Sequence, residues 1–315
     1  MPRPDMLLRP DPDTAPVTVG LPTFNRREGL DRAVASVLAQ GPQVHLVVSD
    51  NCSTDGTEEV LDGLVDRDDV TVLRQPTNVG PTRNFRAVAD GRRGGPFMWL
   101  GDDDWIDEGY VAACRSLLDA DPSLAVVAGR ARYHDADRSW VDPDDIQVLD
   151  DDPCRRVLAY YRQVGTNGAF YGIARGTAFD RMPPLPDRMG GDWLHMAALA
   201  YLGGIRTLDR PQVHRTVGGA TRSLADVARH AGLGWISRTA PQVAIAGHVF
   251  ADIAWGSPVY GDLPRWSRVL LAARAAAIVV VRFVPRALVK FARQRLSALA
   301  ARRRRPSTAG LGTTA

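Results

Sequence analysis

VTVGLPTFN, residues 17–25, is a β-branched apolar run halted at Pro22, and VHLVVSDNCSTDGT, residues 44–57, repeats the pattern with an apolar run that ends in Asp, Asn, Ser and Gly. Runs this short, with no polar alternation, read as strands buried on both faces. Between them, residues 28–40 place Leu30, Val34, Val37 and Leu38 at helical spacing and stop at Gly41. The alternation continues with a helix predicted over 57–65, a strand over 70–73, a helix over 81–89 and a strand over 96–100. Such an order predicts βαβ units in an α/β fold with a doubly wound, mainly parallel sheet. Its ligand site is expected at the carboxyl ends of the strands.

Three polar clusters fall at those ends: Pro22-Thr23-Phe24-Asn25, Asp50 to Gly56, and Gly101-Asp102-Asp103-Asp104. For any one cluster, turn chemistry and helix capping are a sufficient reading. Ser53 or Thr54 ahead of Glu58 and Glu59 reads as a capping box. Three successive carboxylates ask for more, because they repel one another unless a cation lies between them. Hard oxygen donors of this kind suit Mg²⁺ or Mn²⁺, which takes one or two protein carboxylates and completes its shell with water and substrate phosphates. The predicted ligand is therefore a metal-bridged diphosphate. No GxxxxGK[ST] loop is present, which excludes a P-loop mechanism, and no GxGxxG follows the first strand, against a dinucleotide fold. Metal, arginine and helix ends must then meet the phosphate charge.

In this order the motifs resemble the family 2 glycosyltransferases of GT-A fold: Pro22-Thr23-x-Asn25, then VVSDNCSTDGT (47–57), Asn78-x-Gly80 with Arg83-Asn84, the acidic stretch 101–104, Gly190 to Trp193, and Arg215 to Gly219. The resemblance covers about residues 16–225, and NVGPTRNF and GDDDW look most like the branch containing bacterial O-antigen deoxyhexose transferases such as abequosyltransferases. It implies an inverting transfer of sugar from a UDP- or dTDP-sugar to a hydroxyl of a glycan or lipid-linked acceptor, in cell-surface polysaccharide or glycoconjugate synthesis. It implies that Pro22, Thr23, Asn25, Asp50, Asn51, Arg83, Asn84 and Asp102 line the nucleotide site, with Asp50 accepting a base N–H. The family's first acidic-motif Asp aligns with Gly101. The principal metal ligand then falls at Asp103, with Asp102 or Asp104 assisting. The family's Glu-Asp pair corresponds to Gly191-Asp192, so Asp192 is the implied base; an N-cap at a helix starting at Trp193 is its other reading. Arg215 matches an arginine near the diphosphate. His214 beside it reads as a metal or phosphate contact or as structural. A sugar nucleotidyltransferase shares the sheet and the carboxylates but would need a Gly-rich, basic loop after the first strand, which PTFNRREG lacks. A catalytically idle membrane-bound scaffold is the remaining alternative.

Length and composition fit this reading. With 315 residues, 45% hydrophobic and 24% charged, the chain is an ordinary globular protein. Its three scattered cysteines predict neither a disulfide framework nor a zinc site, and fit a cytoplasmic setting. The formal charge of +3 conceals a cancellation, since Leu263 to Ala315 holds 12 Arg or Lys and no acid. The expected organisation is a disordered leader over 1–15, a catalytic domain over 16–262 (nucleotide-sugar half about 16–130, acceptor half about 131–262), a basic helical tail over 263–305 and a disordered end over 306–315. Residues 135–152, with eight Asp, read as an exposed loop. In the tail, Arg282, Arg286, Lys290 and Arg293 fall opposite Val284, Leu288 and Phe291, with Pro285 starting or kinking the helix. Two roles fit: a helix on an anionic membrane surface at the inner face of the cell membrane, or one packed on the catalytic domain. The acidic body and the lack of aromatic interleaving argue against nucleic acid.

Overall fold

A computed structural model describes residues 15–142, 146–217 and 234–303. The expected leader, apart from Ala15, the expected C-terminal end and the Gly218-Gly219 end of the last motif lie outside the described residues. The predicted alternation is present as β1 (Val17–Thr23), α1 (Arg27–Leu38), β2 (Val44–Asp50), α2 (Thr57–Asp62), β3 (Val70–Arg74), α3 (Pro81–Asp90) and β4 (Phe97–Trp99). β1 pairs in parallel with both β2 and β4, and β2 with β3. Every residue of β1 and β2 is buried, as their unbroken apolar runs require. Within the apolar run of β2, the buried His45 bonds Thr71 Oγ1 at 2.9 Å.

Beyond β4 the sheet is less parallel than the sequence predicts. β5 (Trp105–Ile106), α4 (Tyr110–Ala120), β6 (Leu124–His134), β7 (Ser139–Val141), α5 (Pro153–Gln163), β8 (Ile173–Ala174), α6 (Gly176–Phe179), α7 (Gly191–Leu202) and β9 (Gly204–Thr216) follow. The strand order is β3-β2-β1-β4-β8-β6-β9-β5, with β7 paired to β6. β8 runs antiparallel between β4 and β6, and β5 antiparallel to β9. A mixed half thus continues a parallel half, and β9 carries its last residues back to the acidic stretch.

The segment read as an exposed loop is only partly so. β7 forms a hairpin with β6, Asp142 is buried with its amide bonded to Ala131 O at 2.8 Å, and Ile146 and Val148 join the core. Helix α5 was missed by periodicity, although Asp152-Pro153 announces it: the Asp152 carboxylate caps Arg155 N at 2.9 Å and Pro153 takes the first turn.

α8 (Trp235–Thr239) and α9 (Pro241–Ala251) lead to a 39-residue helix, α10 (Arg265–Arg303), that passes through Pro285 without ending. Its first half is not a free tail. Leu271, Ala272, Ala275 and Val279 are buried in the core, and burying Leu271 and Val279 alone stabilises docking by roughly 3–6 kcal/mol. Arg282, expected on a solvated basic face, turns inward and donates to the carbonyls of Tyr161, Gln163 and Val164 at the end of α5. Those carbonyls have no partner inside α5, so the guanidinium caps a helix terminus.

Candidate active site

The carboxyl ends of β1 and β2 are stitched together by side chains. Thr23 and Asp50 are register neighbours. The Asp50 carboxylate accepts the Ser53 amide at 3.2 Å and the Ser53 hydroxyl at 2.5 Å; that hydroxyl oxygen accepts Asn25 N at 2.9 Å, and Asn25 Oδ1 accepts Thr54 N at 2.8 Å. Asn25 has φ of 51°, a left-handed turn that Asn tolerates, and it stands exposed at the rim. Ser53 is therefore not a capping-box residue. Helix α2 starts after Gly56, and Asp55 serves that corner by accepting Thr57 N at 3.1 Å and Arg27 N at 3.0 Å.

Two residues expected at the nucleotide brace the strand ends. Asn84 is buried: it accepts from Ser49 Oγ at 2.7 Å and donates to Ser49 O at 2.9 Å and Thr23 O at 3.2 Å, fixing α3 to both strand ends. Asn51, also buried, accepts Val79 N at 2.8 Å and donates to Asn78 Oδ1 at 3.0 Å. Arg83, in the first turn of α3, is exposed and free to meet a ligand. Pro22 is buried beside Ser49 in the β1–β2 ladder.

The three carboxylates of the acidic stretch diverge. Asp102 accepts Phe24 N at 3.3 Å, tying this loop to the end of β1, and burial together with the neighbouring Asp103 charge pushes its carboxyl up to about 6. Asp103 is half-buried; its backbone oxygen accepts Thr216 Oγ1 at 2.6 Å and Arg32 Nη2 at 3.0 Å, leaving the carboxylate without a protein hydrogen bond among the described residues. Asp104 turns the other way. It is 3% exposed, accepts Thr216 N at 2.9 Å and faces Arg215 Nε at 3.6 Å, and burial pushes its carboxyl up to about 6 despite the arginine. A side chain at Gly101 would put its Cβ 2.7 Å from Asp104 Oδ2, so Asp104 fills the space that the family's first Asp would need. Asp104, one of the two residues expected to assist Asp103, is paired with Arg215 and Thr216, whereas Asp102 lies beside Asp103 with a single backbone contact, from Phe24 N.

Among the described residues no three His, Cys, Asp or Glu side chains converge into a ready-made metal cage. A pair of adjacent carboxylates, one raised by burial and by its neighbour's charge, nonetheless fits an ion such as Mg²⁺ or Mn²⁺ that takes most of its shell from phosphate and water.

A cleft of about 730 Å³ opens on the other side of Arg215. Asp192 and Arg215 both line it, together with Phe85, Phe170, Trp193 and, from α10, Val279 and Phe283. Asp192 is open to the cleft but otherwise enclosed, and burial raises its pKa. Its Oδ2 accepts Asn167 Nδ2 at 2.9 Å, and Asn167 Oδ1 accepts the buried Tyr160 hydroxyl at 2.9 Å. Asp192 is not the N-cap. Helix α7 starts at Gly191 after the left-handed Gly190, which puts Asp192 inside the first turn, where free amides favour a carboxylate. The family's Glu has no room, since a Cβ at 191 would lie 2.2 Å from Pro186 O. Asp187, the other acid of the cleft, is exposed. His195, one turn behind Asp192, packs against Trp99, Phe170 and Phe179, and burial pushes its imidazole down to about 3, so it is neutral.

Arg215 joins the two regions. Its guanidinium donates to Tyr133 Oη and Thr166 O at 3.3 Å and to Tyr171 Oη at 3.4 Å, faces Asp104, and is held protonated against its burial by those tyrosines and Asp104. His214 is structural: it bonds Asp107 at 2.8 Å and His134 at 2.9 Å and stacks on Trp105. Sequence reasoning missed Asn167, Thr216 and Tyr171. Asn167-Gly168 is a turn signal, and the structure shows a left-handed turn at Asn167 entering a 3-10 helix over Gly168–Tyr171. Tyr171 carries no local signal, and Thr216 lies in the motif 215–219 without anything there that announces its bonds to the acidic stretch.

The model of the family described as "Glycosyl transferase family 2" matches residues 18–183. Over 162 residues the chain is 27% identical to abequosyltransferase RfbV of Salmonella typhimurium, a match that spans 48% of this chain and 48% of that protein. Among solved structures, residues 1–349 of S. aureus TarS superpose with a TM-score of 0.58 at 17% identity, over 85% of this chain and 72% of that 1–349 chain; the same 1–349 chain in complex with UDP-GlcNAc gives 0.59 at 17%, over 85% and 73%. At that identity the likeness establishes the fold, a GT-A arrangement in which a parallel half is extended by a mixed one. The family model covers more than half of the chain, and this protein belongs to glycosyl transferase family 2.

Proposed function

We propose that the chain transfers a sugar, with inversion, from a UDP- or dTDP-sugar to a hydroxyl of a glycan or lipid-linked acceptor, in cell-surface polysaccharide or glycoconjugate synthesis. One observation carries this reading: a single guanidinium, Arg215, pairs with the acidic loop through Asp104 and lines the cleft that Asp192 enters. Phosphate-binding and base-bearing regions thus share one cationic side chain. The similarity to an abequosyltransferase, and to TarS solved with UDP-GlcNAc, supports the donor class.

Asp192 accepts the acceptor's hydroxyl proton as that oxygen attacks the anomeric carbon opposite the departing diphosphate. Its raised pKa moves it toward the operating pH and makes it a better proton acceptor than an exposed Asp. Asn167 fixes the carboxylate's direction. Arg215 stabilises negative charge developing on the leaving diphosphate. Asp103 with Asp102 would hold Mn²⁺ or Mg²⁺, which when bound neutralises diphosphate charge. Asp50, with lone pairs beyond those that Ser53 occupies, accepts the N–H of a uracil or thymine ring. A thermal-shift panel of nucleoside diphosphates and their sugars, with and without Mn²⁺, tests the reading. The uracil or thymine members should stabilise the protein by about 2.7 kcal/mol at a hundredfold excess over Kd. A panel with no stabilising nucleotide would overturn it.

A further inference from the structure

The docked half of α10 has two unlike faces. Leu271, Ala272, Ala275, Val279 and Arg282 face the domain. Opposite them Trp266, Val269, Leu270, Ala273, Val280 and Val281 are exposed, Trp266 to 71% and Val281 to 73%. At 3.6 residues per turn these six fall within an arc of about 120°, a stripe running for four turns. Among the described residues, nine of the 13 exposed large apolar ones belong to the segment from Trp235 onward, so this exposure is concentrated rather than scattered. Monomers rarely leave such a face to water.

We propose that this stripe lies in the headgroup region of an anionic lipid bilayer, with α10 parallel to the membrane plane. Among the described residues no helix is long and apolar enough to cross a membrane, so the face suits an interfacial rather than a spanning mode. Charge chooses the partner. From Leu263 to Ala315 the sequence has 12 Arg or Lys and no acid, which anionic lipid neutralises and which a second copy of the same helix would oppose with like charge. Trp266 at the start of the stripe is the residue type that favours the water–lipid boundary. The sequence alone placed the basic residues on the outer face. The structure turns Arg282 inward and offers lipid an apolar stripe instead.

The inner face of the same helix places Val279 and Phe283 in the cleft beside Asp192. If the transferase reading holds, the bilayer lies one helix diameter, about 10–12 Å, from the acceptor site. Vesicle flotation of the full chain tests the surface without any need for donor or turnover. Wild type should float with phosphatidylglycerol–phosphatidylcholine vesicles, less with phosphatidylcholine alone and less at high salt. Leu270→Glu with Val281→Glu should weaken that binding at least tenfold, with the circular dichroism melt and nucleotide binding unchanged. Trp266→Glu should weaken it independently. Wild type that stays unbound, or variants that bind as wild type does, would overturn the proposal. So would a dimer by light scattering that the double variant converts to monomer, since the stripe would then be an interface between copies.

Discussion

Asp192→Asn separates base chemistry from architecture. The Asn amide oxygen can accept the same 2.9 Å bond from Asn167, so shape and contact persist while the charge and the proton-accepting ability go. Burial raises the Asp192 pKa above its unfolded value, so the native chain holds this proton more tightly than the unfolded chain does. The linked stability is fully present below the unfolded pKa and is lost as pH rises through the folded one. At pH 8 wild type therefore bears the cost of an ionised, enclosed carboxylate that the Asn variant does not. The variant should melt at or above the wild-type temperature. Transfer should fall by about 10²–10⁴, which is roughly 2.7–5.4 kcal/mol of barrier. Paired assays decide it: thermal melts at pH 8 and initial rates at saturating donor. Transfer within tenfold of wild type would put the base elsewhere. A melting temperature lowered by more than roughly 4 °C, about 1–2 kcal/mol for a chain this size, would make the carboxylate structural.

The pH profile of kcat/KM should show one acid limb centred above the ordinary Asp value of about 3.9, because Asp192 must be ionised to act and burial raises its pKa; a profile flat down to pH 4 would contradict this. Asn167→Gly keeps the left-handed backbone but removes the bond that lowers the Asp192 pKa, so kcat should fall with donor KM unchanged and the acid limb should move to higher pH. A variant that changes KM alone would refute this positioning role. Arg215→Ala strands the buried Asp104 carboxylate and should cost about 3 kcal/mol at pH 8. Burial already pushes Asp104 up to about 6, and a group raised in the folded state loses stability as pH rises, so the penalty measured by urea unfolding should shrink at pH 5.5. An equal penalty at both pH values would show that the tyrosine contacts, not the ion pair, matter.

The parallel half was legible because β1, β2 and β4 are buried throughout and each runs into a polar cluster, while the β-branched run of the half-buried β3 stands out between two helices. The mixed half was not. β5 and β8 have two residues each, too few for any period, and the apolar pattern of β9 is broken by the exposed Arg206, Asp209 and Arg210. The same limit governs the site. Asp103 and Asp192 sit in recognisable motifs, but Asp104 is committed to Arg215 and Thr216, more than a hundred residues away, and nothing near Asp104 reveals that partnership. Asn84 and Asn51 fall in nucleotide-site motifs, yet Asn84 donates to the buried backbone carbonyls of Thr23 and Ser49, and Asn51 ties the end of β2 to Asn78 and Val79. In α10 the sequence shows where charge lies, but only packing shows which side faces out.

The division between a donor region at the acidic loop and an acceptor region at Asp192 is tested most directly by calorimetric titration of UDP or dTDP in the presence of Mn²⁺ into wild type, Asp103→Asn and Asp192→Asn. The account predicts that Asp103→Asn weakens nucleotide binding at least tenfold while Asp192→Asn binds as wild type does. Equal binding by wild type and Asp103→Asn, or loss of binding in Asp192→Asn, would contradict it.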